Sequence, residues 1–500
     1  MESKSVVIIG GGLGGLFTGA ILSKEGLKVT ILEKNATVGG GLQSFKRYGE
    51  VWDTGMHVIA GMQPGGNIRK ICKYLGVLDQ IQIQDVDDDC TDKIFFAEDH
   101  TCYTVAKGKV AFVESLAKVF PQERDNLQRY VEAIYRLTEE VNLFHIRRAN
   151  TDLFAHSEEF MMAADAFIAK YIQDPKLRSV IAYMNPLYGG RGNQTPAYVH
   201  AIINVLYING PSRFVGGSAR FAEALVRKIQ EQGGEVLTST PVTHIDVEDR
   251  RVTGIQTAKG CFQADYYICA IHPCTMFTLM DEKALPKSYR NRLDSIPNSY
   301  SAFSLYIKMK ENTFPFINYS EYYISTYRDI WNFPGPDSTW PLGFLMMTPP
   351  EPNQGPFSRK VLLTAPMSFE ACRQWEDSRV GHRPLEYNLW KEEMTQRLLD
   401  KIEEIHPGFT EKIEAINSAS PLTIRDFYGV KEGSLCGFSK DYSNMALSQV
   451  PVVTKIRNLL LTGQNNNLHG FCGVPLTAIN TSEAILGLDY VVDKINEANA

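Results

Sequence analysis

The sequence predicts an α/β protein that begins with a strand, a helix and a second strand of a parallel sheet. Val6 to Ile9 is an unbroken β-branched run, which is typical of a strand buried on both faces. Leu13 to Lys24 has helical periodicity and is followed by Gly26, a residue that ends helices. Lys28 to Leu32 then forms the second strand, so the pattern indicates a β-α-β unit.

Three glycines join the first strand to the helix. Gly10, Gly12 and Gly15 have the GxGxxG spacing, and Glu33 ends the second strand. Gly10 permits a tight turn, Gly12 lets backbone N–H groups approach a pyrophosphate, and Gly15 lets helix and strand pack closely. Glu33 can accept hydrogen bonds from both hydroxyls of a ribose. The pattern therefore predicts a Rossmann-type dinucleotide site, to which we also assign Leu13, Gly14 and Lys34.

Two further segments favour FAD over NAD as the dinucleotide. A second glycine cluster, Gly39 to Gly41, follows Glu33 closely and can run along the ribityl chain or pyrophosphate. Near the C-terminus, Leu459 to Leu461 is a short buried strand, and we predict a helix that begins at Pro475 and ends at about Gly487. The N-terminus of that helix would stabilise negative charge on a reduced flavin.

Composition excludes several classes of protein. The 500 residues include 44% apolar and 22% charged side chains, which is typical of globular proteins and excludes collagen, coiled coils and wholesale disorder. The formal net charge of −6, with no basic stripe, argues against nucleic acid as a partner. Nine cysteines without a Cys-x-x-Cys pair predict reduced thiols, no metal site and a cytoplasmic location. The run from Ser5 to Leu22 contains six glycines, so we interpret it as strand and helix rather than a membrane anchor.

Three blocks of sequence carry a resemblance to a known family. They are GGGLQSFKRYGEVWDTGMHVIAGM, SPLTIRDFYGVKEGSLCGFSKD and LLLTGQNNNLHGFCGVPLTAINTSEAIL, which span Gly39–Met62, Ser420–Asp441 and Leu459–Leu486. The chain resembles the flavoprotein family of phytoene desaturases and carotenoid isomerases, and most closely its all-trans-retinol 13,14-reductase (retinol saturase) branch. With the N-terminal motif these blocks cover both ends of the chain, while the middle matches only loosely.

The resemblance implies an FAD-dependent oxidoreductase that acts on a conjugated isoprenoid, a retinoid or carotenoid, and saturates a carbon–carbon double bond. NAD(P)H is the external reductant that such a reaction suggests. Desaturation and cis-trans isomerisation are the alternatives within the family. A flavin amine oxidase and a carrier of prenylated proteins are alternatives of other classes. The expected partner is a hydrophobic small molecule, with peripheral contact to a membrane, and the oligomeric state is left open.

The resemblance also assigns residues to the flavin site. His57, in the block Asp53-Thr54-Gly55-Met56-His57, is the candidate to orient substrate or supply a proton, with His469 a weaker one. The chain departs from the family pattern where Gly41-Leu42 replaces an expected polar residue and Gln464-Asn465 replaces an expected acid. The further cofactor-binding residues implied are Gly40, Gly41, Leu42, Val242, Gly463, Gln464, Gly473, Val474 and Pro475.

The predicted architecture is two interleaved domains. A Rossmann-type FAD-binding domain, a parallel sheet with helices, is assembled from residues 1–75, 212–275 and 420–500. Residues 76–211 and 276–419 form an α+β substrate domain with a mixed or antiparallel sheet. The apolar segments Phe160 to Ile172 and Val199 to Ile208 are predicted as buried helices, or as the walls of a tunnel for a hydrophobic substrate.

Overall fold

The computed structural model describes residues 4–55, 58–149, 156–335, 337–444 and 449–500. The strands, numbered along the chain, are β1 (Ser5–Ile9), β2 (Lys28–Leu32), β3 (Ser44–Arg47), β4 (Glu50–Asp53), β5 (Ile83–Asp85), β6 (Asp92–Phe96), β7 (Thr101–Val105), β8 (Ser212–Phe214), β9 (Glu235–Leu237), β10 (Val242–Glu248), β11 (Arg251–Thr257), β12 (Gly260–Phe262), β13 (Tyr266–Cys269), β14 (Ser301–Met309), β15 (Ser320–Ile324), β16 (Gly343–Met347), β17 (Lys360–Met367), β18 (Ile413–Ala419) and β19 (Leu459–Leu461). The helices are α1 (Leu13–Lys24), α2 (Asn67–Leu75), α3 (Lys109–Ala117), α4 (Arg124–Glu139), α5 (Ala164–Tyr171), α6 (Pro175–Ile181), α7 (Ala197–Asn209), α8 (Ala219–Glu231), α9 (Pro273–Phe277), α10 (Lys287–Asp294), α11 (Leu385–Ile405), α12 (Pro421–Tyr428), α13 (Gly470–Leu486) and α14 (Tyr490–Glu497).

A five-stranded parallel sheet contains the N-terminal motif. Its strand order is β19-β13-β1-β2-β9, so neighbouring strands come from widely separated stretches of the chain. Residues Val6 to Ile9 of β1 are at most 3% exposed, because helices cover one face of the sheet and a second apolar cluster covers the other. The predicted bounds of β1, α1 and β2 agree closely with the structure.

Helix α1 packs between α8 and α13 on this sheet. Phe17 of α1 lies 5.7 Å, ring centre to ring centre, from Phe221 of α8. Thr18 and Thr462, which are 444 residues apart in sequence, share a hydrogen bond of 3.0 Å between their hydroxyl groups. These contacts fix the N-terminal and C-terminal segments against each other.

A seven-stranded mixed sheet forms the second layer. Its order is β18-β14-β17-β16-β15-β6-β7, and every neighbouring pair is antiparallel except β15 with β6. Helices α3 to α7 and the parallel sheet's helices share one large apolar core with one end of this sheet. A parallel sheet with helices and a second, mixed sheet confirm the predicted fold class.

The substrate-domain segments contain the helices that the sequence predicted. The segment from Phe160 folds as a short 3-10 turn followed by α5, and its Phe160, Phe167 and Ile168 are core residues. Helix α7 is buried along most of its length. Strand β8 begins at residue 212, the predicted domain boundary, and pairs with β5. This strand pair therefore joins the segment predicted as FAD-binding domain to the segment predicted as substrate domain.

Among the described residues, no single helix has both the length and the apolar composition to cross a membrane. The pair α13 and α14 reaches the required length and composition together, but the two helices are bent by 117° at the break between them.

A buried polar network lies inside the helical layer at His200 of α7. The Tyr130 hydroxyl is 2.6 Å from Nε2 of His200, and the Tyr188 hydroxyl is 2.9 Å from Nδ1. The side-chain amide of Asn204 donates to the His200 carbonyl at 2.9 Å. Burial disfavours the imidazolium and lowers the pKa of His200 to about 3.

This pKa predicts a pH-dependent loss of stability. Because the pKa in the folded state lies below the ordinary value of 6.5, the unfolded chain binds a proton that the folded chain rejects as the pH falls from about 6.5 toward 3. Relative to His200→Gln, the wild type should lose about 1.4 kcal/mol of unfolding free energy for each pH unit below about 6. Urea unfolding at several pH values measures this difference, and parallel pH profiles for the two proteins would contradict it.

Candidate functional site

A cavity of about 560 Å³ opens at the carboxyl edge of the parallel sheet. Its wall includes the residues that follow four parallel strands, namely Gly10 after β1, Glu33 after β2, Ala270 after β13 and Thr462 after β19. Ligands of open α/β sheets bind at this edge, where the strand order reverses. The cavity is therefore where the motif predicts a dinucleotide.

Two helices begin at the cavity wall. Helix α1 follows Gly12, and α13 follows His469; neither N-terminal turn has a side-chain cap. The first N–H groups of a helix lack intrahelical partners and carry partial positive charge. The start of α1 fits a pyrophosphate, and the start of α13 fits an electron-rich ring edge of a flavin.

The glycine loops lie too close together for side chains. Gly10 has φ +103°, and a Cβ on Gly15 would lie 2.0 Å from the Gly10 carbonyl oxygen. A Cβ on Gly14 would lie 2.9 Å from Cα of Gly463 in the C-terminal loop. The Gly39 N–H donates to the Gly11 carbonyl at 2.7 Å, so the second glycine cluster runs beside the first. Backbone without side chains, from the loops at Gly10, Gly39 and Gly463, thus surrounds one end of the cavity, which we call its dinucleotide end.

Glu33 is oriented by backbone N–H groups. Its Oε2 accepts from the Gly11 N–H at 2.8 Å, and its Oε1 accepts from the Asn35 N–H at 2.8 Å. The residue is buried but remains on the cavity wall. Each carboxylate oxygen has a second lone pair, so the pre-oriented group can accept hydrogen bonds from the hydroxyls of a ribose.

The structure brings most of the predicted cofactor-binding residues together on this one wall. Those that line the cavity are Gly10, Gly12, Leu13, Gly14, Glu33, Lys34, Gly40, Gly41, Leu42, Val242, Gly463, Gln464 and Val474. Gly15 does not line it, and its place against the Gly10 carbonyl is the packing position that the motif predicts.

The predicted start of the C-terminal helix is wrong. Helix α13 begins at Gly470 and contains Pro475 in its interior, so neither Pro475 nor Gly473 lies on the cavity wall. The prediction placed the helix start at Pro475 because proline is common at the first helical position. In the structure the turn before Pro475 is already helical. Gly473 is needed for packing, because a Cβ there would lie 2.4 Å from the Leu468 carbonyl carbon. The residues at the true helix start that line the cavity are Gly470, Phe471 and Cys472.

The candidate catalytic residue His57 lies outside the described residues, but the segment before it is well placed. Asp53 accepts hydrogen bonds from the Ser44 hydroxyl at 2.8 Å and the Ser218 N–H at 2.9 Å, and burial raises its pKa. The Tyr306 hydroxyl donates to the Thr54 carbonyl at 3.2 Å. Asp53 therefore connects this loop to the start of α8, while Tyr306 connects it to the second sheet.

The other candidate histidine, His469, lies on the cavity wall. Its Nε2 is 3.0 Å from the Leu187 carbonyl oxygen, and burial lowers its pKa to about 4. A neutral imidazole whose Nε2 proton is donated to a carbonyl can orient a neighbour but is a poor acid at neutral pH.

The departure at Gln464-Asn465 is accommodated within the loop. With its amide oriented to satisfy both neighbours, Gln464 donates to the Leu435 carbonyl at 3.2 Å and accepts from the Gly437 N–H at 3.3 Å. The Asn465 side-chain oxygen accepts from the Phe438 N–H at 3.1 Å. These amides join the C-terminal loop to the neighbouring loop at residues 435–438.

Sequence reasoning missed the opposite wall of the cavity. One face of the second sheet forms it, and the alternation of residues along each strand is the signal that points to this face. The residues on this face are Ala302 and Ser304 of β14, Tyr322 and Ile324 of β15, Gly343 and Leu345 of β16, and Thr364 and Pro366 of β17; Tyr323 and Phe344, at the intervening positions, also line the cavity. Tyr300 also lines the cavity, and its buried hydroxyl has no hydrogen-bond partner within the described part of the chain.

Comparison with known proteins identifies the class. The model of the flavin containing amine oxidoreductase family matches residues 13–486, and the chain belongs to this family. It is 24% identical over 544 residues to the all-trans-retinol 13,14-reductase of Danio rerio, covering 97% of this chain and 86% of that protein. It is 21% identical to the chloroplastic prolycopene isomerase of Daucus carota, covering 86% of this chain and 71% of that one.

A solved oxidoreductase from Methanosarcina mazei has the same fold, with a TM-score of 0.66 and 18% identity over 96% of this chain and all of that one. The comparisons confirm the resemblance to the retinol reductase and carotenoid isomerase branch and the prediction of a flavin-dependent oxidoreductase. The uncapped helix starts, the glycine cradle and the oriented Glu33 fit FAD as its flavin.

The geometry at Glu33 predicts its effect on flavin retention. Glu33→Ala should weaken FAD binding roughly tenfold to a hundredfold, because a hydrogen bond to a charged group contributes about 1.5–3 kcal/mol. Flavin content after gel filtration measures this. Glu25→Ala is the matched control, because it removes a carboxylate just past the far end of α1, on the order of 18 Å from the loop. Equal flavin content in Glu33→Ala and wild type would remove Glu33 from the site.

Proposed function

We propose that this protein saturates a carbon–carbon double bond of a conjugated isoprenoid, a retinoid or carotenoid, with bound FAD as the redox group. One observation supports this most strongly: the dinucleotide end of the cavity continues into a wall made by one face of a β-sheet and by α7. The likeness to retinol reductases and a prolycopene isomerase agrees with an extended, apolar substrate.

Bound FAD would supply hydride transfer to or from carbon. The chain's own residues would hold the polyene and keep water away. Ile203 and Leu206 of α7 face the cavity from one side, and Leu345 and Ile324 of the sheet line it from another. Apolar walls of this kind fix the position of a flat polyene and make every polar interaction near the reacting carbon stronger.

Saturation also needs a proton for the second carbon. His57 follows the loop held by Asp53 and Tyr306 and is our proposed source, with solvent as the alternative. His469 does not fit this role, because its pKa is lowered to about 4 and it is neutral at pH 7.

Desaturation and isomerisation are the second candidate functions, since one relative is an isomerase and the same cavity would serve all three reactions. An amine substrate is less well served. Among the described residues that line the cavity, Glu33 at the dinucleotide end is the one carboxylate, so a protonated amine would find no counter-charge on the sheet wall.

The remaining proposals concern electron supply and location. We propose NAD(P)H as the external reductant, because saturation consumes two electrons in each turnover. We also propose a cytoplasmic protein with peripheral membrane contact. Leu385 and Leu389 lie one turn apart on α11 and are 68% and 55% exposed, and Val380 before the helix is 53% exposed.

Product analysis tests the reaction. Photoreduced holoprotein is incubated anaerobically with retinol, phytoene or cis-lycopene. The products are separated by chromatography, and their masses are measured by mass spectrometry. Saturation adds two hydrogen atoms to the polyene, and this is the expected result. Oxidised holoprotein is the matched control and should leave the mass of the polyene unchanged.

Other products would contradict saturation in distinguishable ways. Loss of two hydrogen atoms with oxidised protein would indicate a desaturase, and a changed retention time at unchanged mass would indicate an isomerase. In a separate aerobic incubation of the oxidised protein with an amine, peroxide release would overturn the isoprenoid proposal altogether if no polyene is converted in the anaerobic reactions.

A further inference from the structure

Three tyrosines from different elements meet at one part of the cavity wall. They are Tyr183, just after α6, Tyr207 of α7 and Tyr322 of β15, and all three line the cavity. The Tyr183 and Tyr322 rings are 4.9 Å apart at 87°, an edge-to-face contact. Tyr207 is partly exposed, and its hydroxyl makes only a long contact of 3.4 Å to the Val58 carbonyl. We call these three residues the tyrosine end of the cavity.

A buried carboxylate lies directly behind the tyrosine end. The Tyr183 hydroxyl donates to Oδ2 of Asp92 at 2.9 Å, and Asp92 is 4% exposed. Burial raises the pKa of Asp92 to about 6, although its hydrogen bonds and the charge of Arg213 oppose that shift. Burying a carboxylate costs free energy unless hydrogen bonds or opposite charges compensate for the lost water. The buried position of Asp92 behind the cavity wall is therefore evidence that its charge has a role there.

Arg213 supplies part of that compensation from a distance. It is 1% exposed and donates to the Ser320 hydroxyl at 3.1 Å and to the Ile317 carbonyl at 3.3 Å. Among the described residues it forms no direct ion pair with Asp92, yet its charge lowers the pKa of that carboxyl. Asp92 is therefore held by hydrogen bonds from the hydroxyls of Tyr183, Thr91 and Ser320 rather than by a direct salt bridge.

The hydrogen bond to Asp92 fixes what Tyr183 can offer to a ligand. A phenol has one proton, and that of Tyr183 is donated to Asp92, so the oxygen is left as an acceptor. The negative carboxylate also polarises the phenol and makes that oxygen a better acceptor. The partner that suits it is a group with a proton to donate, namely a hydroxyl.

The middle of the sheet wall separates this end from a second polar pair. One row across the sheet reads Ser304, Thr364, Leu345, Tyr322, each opposite the next. The Ser304 and Thr364 hydroxyls bond each other at 3.1 Å. Three strand spacings place Tyr322 on the order of 14 Å from Ser304, a distance that an extended polyene can span.

We propose that the tyrosine end binds the terminal hydroxyl of an isoprenoid alcohol, with the substrate oxygen donating to Tyr183 and accepting from Tyr322. The inference rests on the proposed function and narrows it, because it selects a polyene alcohol over a hydrocarbon carotene. Tyr183 is a specificity-determining residue in this account, and Asp92 is a positioning residue that acts through it.

Binding of three matched ligands tests the proposal. Retinol, retinyl methyl ether, which keeps the oxygen but cannot donate, and the corresponding deoxygenated hydrocarbon are titrated into oxidised holoprotein, and ligand fluorescence reports the Kd. In wild type, retinol should bind roughly tenfold tighter than the ether, which loses one net hydrogen bond, and tighter still than the hydrocarbon, which loses both. In Tyr183→Phe the preference for retinol over the ether should disappear, while the affinity for the hydrocarbon stays unchanged.

The controls separate recognition from folding. Tyr103→Phe removes a buried hydroxyl that bonds Tyr327 at 2.7 Å and does not line the cavity, so it should keep the wild-type preference for retinol. Asp92→Asn retains an acceptor for Tyr183 but loses the charge, and should give an intermediate preference. If Tyr183→Phe fails to fold, Tyr322→Phe is the second variant, and it should lower the affinity for retinol without changing that for the hydrocarbon.

Several outcomes would overturn the proposal. An equal loss of affinity for all three ligands in Tyr183→Phe would show a structural residue, and a wild type without preference for retinol would show that no hydroxyl is recognised. In either case the proposed function would stand if the polyenes still bind and are reduced. If wild type binds none of the three, both the inference and the proposed function fail together.

Discussion

The close contact between α1 and the C-terminal loop is the constraint on which the site depends. Gly14 and Gly463 approach so closely that a side chain on Gly14 has no room, and Thr18 bonds Thr462 just beyond. Because of this contact, the N-termini of α1 and α13 open into the same cavity. Residues that are more than 400 positions apart thereby form one binding surface for a dinucleotide.

The second sheet covers that binding surface and forms the opposite wall of the cavity. A sheet presents alternate residues on one face, so eight alternate residues from four strands line the cavity, together with Tyr323 and Phe344, without interrupting the sheet's hydrogen bonds. The loop at Thr54 joins the two halves, since Tyr306 of the second sheet donates to its carbonyl. Flavin and substrate would thus be held by different layers of the protein, which meet at one loop.

The tyrosine end adds selectivity to one end of a wall whose middle, at Leu345, is apolar. Apolar contact distinguishes poorly between polyenes that differ by one oxygen, whereas a buried hydrogen-bonding group discriminates strongly. Asp92 orients that group by accepting the hydrogen bond that the Tyr183 hydroxyl donates.

The sequence predicted local features well and long-range ones poorly. The β1-α1-β2 unit and its glycines were predictable, because the spacing itself reports the turn and the close packing, as the Gly15 contact shows. The start of α13 was predicted at Pro475, which is five residues too late, because the sequence from Gly470 to Val474 has no helix-start signal of its own. The tyrosine end could not be predicted, because Tyr183, Tyr207 and Tyr322 meet only through the packing of distant elements.

Anaerobic stopped-flow spectroscopy of the photoreduced holoprotein tests the central claim most directly. The claim is that bound flavin and an isoprenoid occupy one cavity and exchange a hydride. Mixing with a polyene alcohol should return the flavin absorbance to its oxidised form in a single saturable phase, without oxygen. A flavin that stays reduced in the presence of every polyene, while an amine bleaches the oxidised protein, would contradict the account.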